Sequence, residues 1–140
     1  MAYIDTSVLV AYYCPEPMSD AAAKRLAKVE KPVISPLVEV EVYSAVAAKV
    51  RAEELQARAG RRILALFQEH LTEGFYDLVF IDAAQYAQAR DWIAKFSTAL
   101  RAPDALHLAA ALSNNLALLT ADQGLARAAK QMGVRHELIA

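Results

Sequence analysis

Residues 2–13 read Ala2-Tyr3-Ile4-Asp5-Thr6-Ser7-Val8-Leu9-Val10-Ala11-Tyr12-Tyr13. The run Ala2 to Ile4 is apolar and too short for a helix, Val8 to Tyr13 is a helical candidate, and an acid with two hydroxyls stands between them. This order of short apolar run, polar turn and helix recurs along the chain. Pro32 to Ile34, Leu78 to Ile81, Ala117 to Leu119 and Arg135 to Leu138 read as further buried strands. Helices are expected over Ser19 to Val29, Pro36 to about Ala52, Glu53 to Leu71, Asp82 to Phe96, Pro103 to Asn114 and Asp122 to Met132. Ser19 and Asp82 are suited to cap N-termini, Pro103 to a first helical turn, and Gly74 and Gly133 to positions just past C-termini. About 30 alanines allow helices to lie close on a sheet. The alternation predicts an α/β fold, a three-layer α/β/α sandwich with a mostly parallel central sheet, spanning residues 1–140 as a single domain.

Composition narrows the class. Of the 140 residues 56% are hydrophobic, with only 4 Gly and 5 Pro, which excludes a disordered or collagenous chain. Fifteen Lys and Arg against 16 Asp and Glu leave a net charge of -1. No broad basic surface is available for nucleic acid, so any phosphate-binding surface must be local. Cys14 is the only cysteine, which rules out an internal disulfide and a CxxC metal or redox pair, and a cytoplasmic location is expected. The longest apolar run near the start, Val8 to Cys14, is far short of the roughly 18 residues a membrane span needs. No membrane association is expected.

In an open parallel sheet, ligands gather beyond the carboxyl ends of the strands. There the first strand ends in Asp5-Thr6-Ser7 and the Ala117 strand ends in Thr120-Ala121-Asp122. The plain reading of both acids is N-capping of the next helix. Glu41 is harder to explain that way, because helical spacing places it on a stripe with Leu37, Val38, Val42, Ala45 and Ala48. A carboxylate on an apolar face requires a partner, and Lys49 or an arginine elsewhere is one candidate. Asp104, next to Pro103 at a helix start, complements the helix dipole. Parallel topology brings Asp5, Glu41, Asp104 and Asp122 toward one edge. Four carboxylates repel unless a positive group neutralises them, and an all-oxygen set with Thr6, Ser7 and Thr120 nearby suits Mg²⁺ or Mn²⁺ rather than Zn²⁺. Such a site is chemically suited to hydrolysis of a phosphodiester.

The ordered set Tyr3-Ile4-Asp5-Thr6-Ser7-Val8-Leu9, Ser35 six residues before Glu41, Pro103-Asp104-Ala105-Leu106-His107-Leu108-Ala109 and Leu119-Thr120-Ala121-Asp122 resembles the PIN-domain nucleases. More narrowly it is similar to the VapC toxins of toxin-antitoxin pairs, over the whole chain. The resemblance implies an endoribonuclease in which Asp5, Glu41, Asp104 and Asp122 bind Mg²⁺ or Mn²⁺, with Asp122 the ligand most apt to act through water. It further implies that Thr6 or Ser7 and Thr120 orient ligands or waters, and that cleavage leaves a 5′-phosphate and a 3′-hydroxyl. The implied partners are an RNA substrate, a VapB-like antitoxin whose C-terminal segment crosses the acidic site, and a second copy of the chain in a homodimer.

Other residues are read more plainly. His107, one turn after Asp104, is favoured as a packing residue over a partner that orients that acid. Arg51, Arg58 and Arg62 share a face only if one helix is continuous through them, and a solvated face is the favoured reading. Arg101 is better placed for a phosphate. Tyr12, Tyr13, Phe75, Tyr76 and Trp92 read as core or dimer-contact residues. Three alternatives stay open: a housekeeping RNA-processing nuclease, an aspartyl-phosphate enzyme built on Asp5, and a non-catalytic module whose acids accept a basic partner segment. The second is disfavoured because Ser7 stands where such phosphatases carry another aspartate.

Overall fold

The computed structural model describes all 140 residues. Five strands form one sheet: β1 (Ala2–Ile4), β2 (Pro32–Ile34), β3 (Asp77–Leu78), β4 (Ala117–Thr120) and β5 (His136–Leu138). Their spatial order is β3-β2-β1-β4-β5, and all four pairings are parallel. The central strand β1 is buried on both faces, as its uninterrupted apolar sequence predicts. Seven helices connect the strands: α1 (Thr6–Tyr13), α2 (Ser19–Leu26), α3 (Pro36–Arg51), α4 (Ala57–Thr72), α5 (Ala83–Ile93), α6 (Ala102–Ser113) and α7 (Gln123–Gln131). The chain steps outward from β1 to β2 to β3, then crosses to β4 and β5. Right-handed crossovers therefore put α1 to α4 on one face and α5 to α7 on the other, giving the three layers.

This topology locates the site. The strand order reverses between β1 and β4, and at such a switch point the loops leaving adjacent strands diverge to opposite faces and open a crevice. The register pairs Ile4 with Leu119, so Asp5 and Thr120 emerge side by side, tied by an Asp5 N–H to Leu119 carbonyl bond of 2.9 Å.

Several sequence expectations hold in detail. Asp82 caps α5 in a reciprocal capping box with Gln85, and Gly74 and Gly133 take φ of 77° and 72° just past α4 and α7. Asp82→Ala is expected to lower stability by about 1 kcal/mol in urea denaturation. Ser19 is different: it is the first residue of α2 rather than its cap, and its hydroxyl bonds the Glu16 N–H and the Cys14 carbonyl to close the preceding loop. The third strand is shifted from the expected Leu78 to Ile81. It pairs only at Asp77 and Leu78, and the chain then leaves the edge with Phe80 exposed to reach the Asp82 cap. The α3–α4 break falls at residues 52–56, which separates Arg51 from Arg58 and Arg62 and removes any continuous arginine stripe.

Candidate active site

Asp5 follows β1 directly and is 5% exposed. Its carboxylate accepts the Ser7 hydroxyl at 2.6 Å, the Thr120 hydroxyl at 2.9 Å and the Ser7 N–H at 3.3 Å. The last of these caps α1, so capping and site roles coincide in one residue. Ser7 also accepts the Ala121 N–H at 2.9 Å, and Thr120 accepts the Asp122 N–H at 3.0 Å. The loops after β1 and β4 are thereby stitched together.

Glu41 lies on the second turn of α3. The buried line of that helix is Val38, Val42 and Val46, so Glu41 sits at the stripe edge, half-buried, and Ala48 is exposed. Its partner is not Lys49, which pairs with Glu16 at 3.0 Å and Glu54 at 3.6 Å. Instead the Thr6 hydroxyl donates to Glu41 Oε1 at 2.7 Å, and His107 Nε2 donates to the same oxygen. Burial pushes the Glu41 carboxyl up, but the hydrogen bonds from His107 and Thr6 and the Arg101 charge outweigh it and hold the group below the ordinary glutamate value. Glu41 thus contributes stability above the ordinary glutamate range that is lost as pH falls through its lowered value.

Asp104, in the first turn of α6, shows the opposite balance. Burial raises its carboxyl first, Arg101 works against that, and the nearby charges of Asp122 and Asp5 raise it further. For a raised acid the contribution to stability is fullest below the ordinary aspartate range and fades as pH rises through the raised value. At neutral pH the ionised Asp104 therefore works against the fold. Asp104→Asn is expected to raise stability at pH 7 slightly, by less than about 1 kcal/mol for a half-buried group, as differential scanning calorimetry would read. An acid kept at a cost to the fold is a candidate for a functional position.

Asp122 is the most committed elsewhere, since its Oδ1 caps α7 through the Gly124 N–H at 2.8 Å and the Leu125 N–H at 3.3 Å. Hydrogen bonds join Asp5, Ser7 and Thr120 in one network, to which the Asp122 N–H is tied through Thr120, and Thr6, Glu41 and His107 in another, while charge alone links the Asp104 carboxylate to them. No three His, Cys, Asp or Glu side chains are drawn together tightly enough to hold a metal ion. The donors are nonetheless the hard oxygen ligands that Mg²⁺ and Mn²⁺ take, and the like-charge pressure on Asp104 is what a cation there would relieve.

The favoured packing role for His107 is incomplete. The ring is buried at 1% exposure, yet both nitrogens are engaged: Nδ1 with the Tyr3 hydroxyl at 2.8 Å and Nε2 with Glu41, while Asp5 Oδ1 lies 4.0 Å from Nε2. Tyr3 itself was visible only as a strand residue. Its position two before Asp5, on the same strand face, was the available signal. Arg101, at the N-cap position of α6, is exposed and acts by charge on both Glu41 and Asp104.

Among solved structures, FitAcB from Neisseria gonorrhoeae matches with a TM-score of 0.70 and 23% identity, covering 97% of this chain and 96% of that one. VapC20 of Mycobacterium tuberculosis, a toxin that cleaves the sarcin-ricin loop, matches at 0.72 and 17%, covering 91% and 95%. VapBC2 from Rickettsia felis, bound to a DNA fragment from its promoter, matches at 0.71 and 18% over 100% of both chains. No curated protein matches closely enough to count as a relative. At these identities the structures speak for the fold. The family model for the PIN domain matches residues 2–131, nearly the whole length, and the chain belongs to the PIN domain family.

Proposed function

We propose that this protein is a divalent-metal-dependent endoribonuclease, the toxin of a type II toxin-antitoxin pair. The observation that supports the reading is the convergence of Asp5 and Glu41 on His107 at the topological switch point of the sheet, each held by neighbouring hydroxyls, with Asp104 within reach of the Asp5 charge. Membership of the PIN family and the likeness to a ribosomal-RNA-loop-cleaving toxin support it.

Asp5, Glu41 and Asp104 would hold Mg²⁺ or Mn²⁺, with Asp122 contributing through water. The bound ion supplies charge neutralisation and water activation for in-line attack on a phosphodiester. Ser7 and Thr120 fix the Asp5 carboxylate, and Thr6 and His107 fix that of Glu41, so little reorganisation remains when substrate arrives. Arg101, exposed at the rim, is placed to meet an RNA phosphate. An aspartyl-phosphate mechanism is disfavoured, because Ser7 stands where such phosphatases carry a second aspartate.

The protein partners proposed are a VapB-like antitoxin and a second copy of the chain. The likeness to VapBC2 supports the first. Phe80, Tyr86 and Phe96 stand exposed, Phe96 91% so, and large rings left in water are typical of surfaces that another chain covers. No helix is long and apolar enough to cross a membrane, and we propose a cytoplasmic site of action.

The test is cleavage of end-labelled total RNA with Mg²⁺, Mn²⁺ or EDTA. Discrete fragments with 5′-phosphate ends, lost with EDTA, are expected. One observation favours a second reading, a module that accepts a basic partner segment: Glu41 already holds a protein donor in His107. A folded protein that binds no metal and cleaves nothing, yet binds an Arg-bearing antitoxin peptide tightly, would replace the first reading with this one.

A further inference from the structure

Ser35 occupies the N-cap position of α3, where a serine hydroxyl ordinarily accepts a helix N–H, yet it makes no capping bond. Its hydroxyl is instead 2.7 Å from the Tyr3 hydroxyl, which in turn lies 2.8 Å from His107 Nδ1. Ser35 and Tyr3 are each 0% exposed and His107 1%, so the line runs wholly inside the protein and ends at Glu41. Four elements are joined: the end of β2, β1, α6 and α3.

The direction of these bonds follows from the groups. The Glu41 carboxylate only accepts, so Nε2 carries a proton; a neutral ring then leaves Nδ1 as an acceptor, and Tyr3 donates to it. Burial holds the Tyr3 phenol well above its ordinary value, which keeps it a donor. Its oxygen is then free to accept from Ser35. Each hydroxyl proton and each lone pair at the junctions has one use, and no buried side-chain polar atom is left without a partner. A well-capped helix start has been given up for this arrangement.

We infer that Ser35 and Tyr3 fix the ring orientation of His107, whose Nε2–H tautomer the Glu41 carboxylate imposes, and that His107 is thereby a positioning residue that aims the Glu41 carboxylate at the cation site. The inference rests on the metal-dependent reading above. Partners that orient a ligand from behind commonly alter metal affinity by about 10- to 100-fold when removed.

The test uses full-length protein carrying ¹⁵N-histidine, with the His107 resonances assigned by their loss in His107→Gln, and Mn²⁺ affinity from titration calorimetry. Wild-type His107 should show a single Nε2–H tautomer. Tyr3→Phe, which removes one oxygen and keeps the ring, should move the Nδ1 resonance toward that of a nitrogen accepting no hydrogen bond and bind Mn²⁺ about 10-fold more weakly. Ser35→Ala should shift both readouts in the same direction by less. His107→Gln keeps an N–H near the Nε2 position and should retain more affinity than His107→Leu. A merely structural role would lower the unfolding temperature of Tyr3→Phe and leave the Mn²⁺ affinity unchanged, and that result overturns the inference. Wild type that binds no Mn²⁺ would instead overturn the metal reading beneath it, and with it the purpose assigned to the relay.

Discussion

Asp5→Asn protein is expected to fold and to cleave RNA at least about 100-fold more slowly than wild type, a loss of about 2.7 kcal/mol or more in barrier lowering. The fold should survive because asparagine is as good an N-cap as aspartate, so the bond from the Ser7 N–H that starts α1 is retained. The shape of the side chain is also kept, and Ser7 and Thr120 still find an acceptor oxygen. What is lost is the negative charge beside Glu41 and Asp104. Asp104→Asn should give a loss of similar size, yet with a fold slightly more stable than wild type. Opposite signs in stability and activity at one residue are difficult to produce by general damage. Circular dichroism with single-turnover cleavage reads both. A folded Asp5→Asn protein with wild-type activity would remove Asp5 from the mechanism.

The second large effect is on stability. Phe67, on α4, is completely buried, with ring centroids 5.3 Å from Tyr13 and 6.0 Å from Tyr76. It is the apolar centre of a cluster whose rim is polar: the Tyr13 hydroxyl lies 2.6 Å from both His70 Nδ1 and the Tyr76 hydroxyl. Phe67→Ala is expected to lower stability by about 3 to 5 kcal/mol, since the removed ring leaves a cavity that the stiff surrounding rings fill poorly. Urea denaturation followed by tryptophan fluorescence measures this. Because the cluster shares no hydrogen bond with the acids, cleavage by the folded fraction should persist at low temperature. That contrast separates damage to the scaffold from damage to the site. A loss below about 1 kcal/mol would mean that α4 is held mainly by other contacts.

Strands β1 and β2 were legible to the residue because a buried parallel strand must be apolar throughout and is bounded by polar turns. The edge was less so. Leu78 to Ile81 has the composition of a strand, but Phe80 and Ile81 lie beyond the short neighbour β2, which offers no partner past Ile34 except to Val79. The α3–α4 junction falls where the expected helices meet, but α4 starts four residues later than Glu53, because residues 52–56 contain no glycine or proline to mark the extent of the turn, which Glu53 makes with a φ of 61°.

At the candidate site, Asp5 and Asp122 were legible as helix caps at strand ends, because capping is a local feature. The identity of Glu41's partner was not. His107 is 66 residues away, and its pairing depends on how α3 and α6, from opposite faces of the sheet, meet above β1. Ser35 was noticed only for its spacing from Glu41. A local rule makes it a helix cap, and the tertiary fold diverts it to Tyr3.

The central claim is that the acids at the carboxyl edge of the sheet form one cation-dependent RNA-cleaving centre. Its most direct test measures Mn²⁺ binding and RNA cleavage on the same wild-type sample across a Mn²⁺ titration. The account predicts that cleavage is absent in EDTA and rises with the same midpoint as binding, and that Asp5→Asn weakens binding and removes cleavage together. Cleavage that persists in EDTA, or Mn²⁺ binding that saturates without any cleavage of an RNA pool containing ribosomal and transfer RNA, would contradict it.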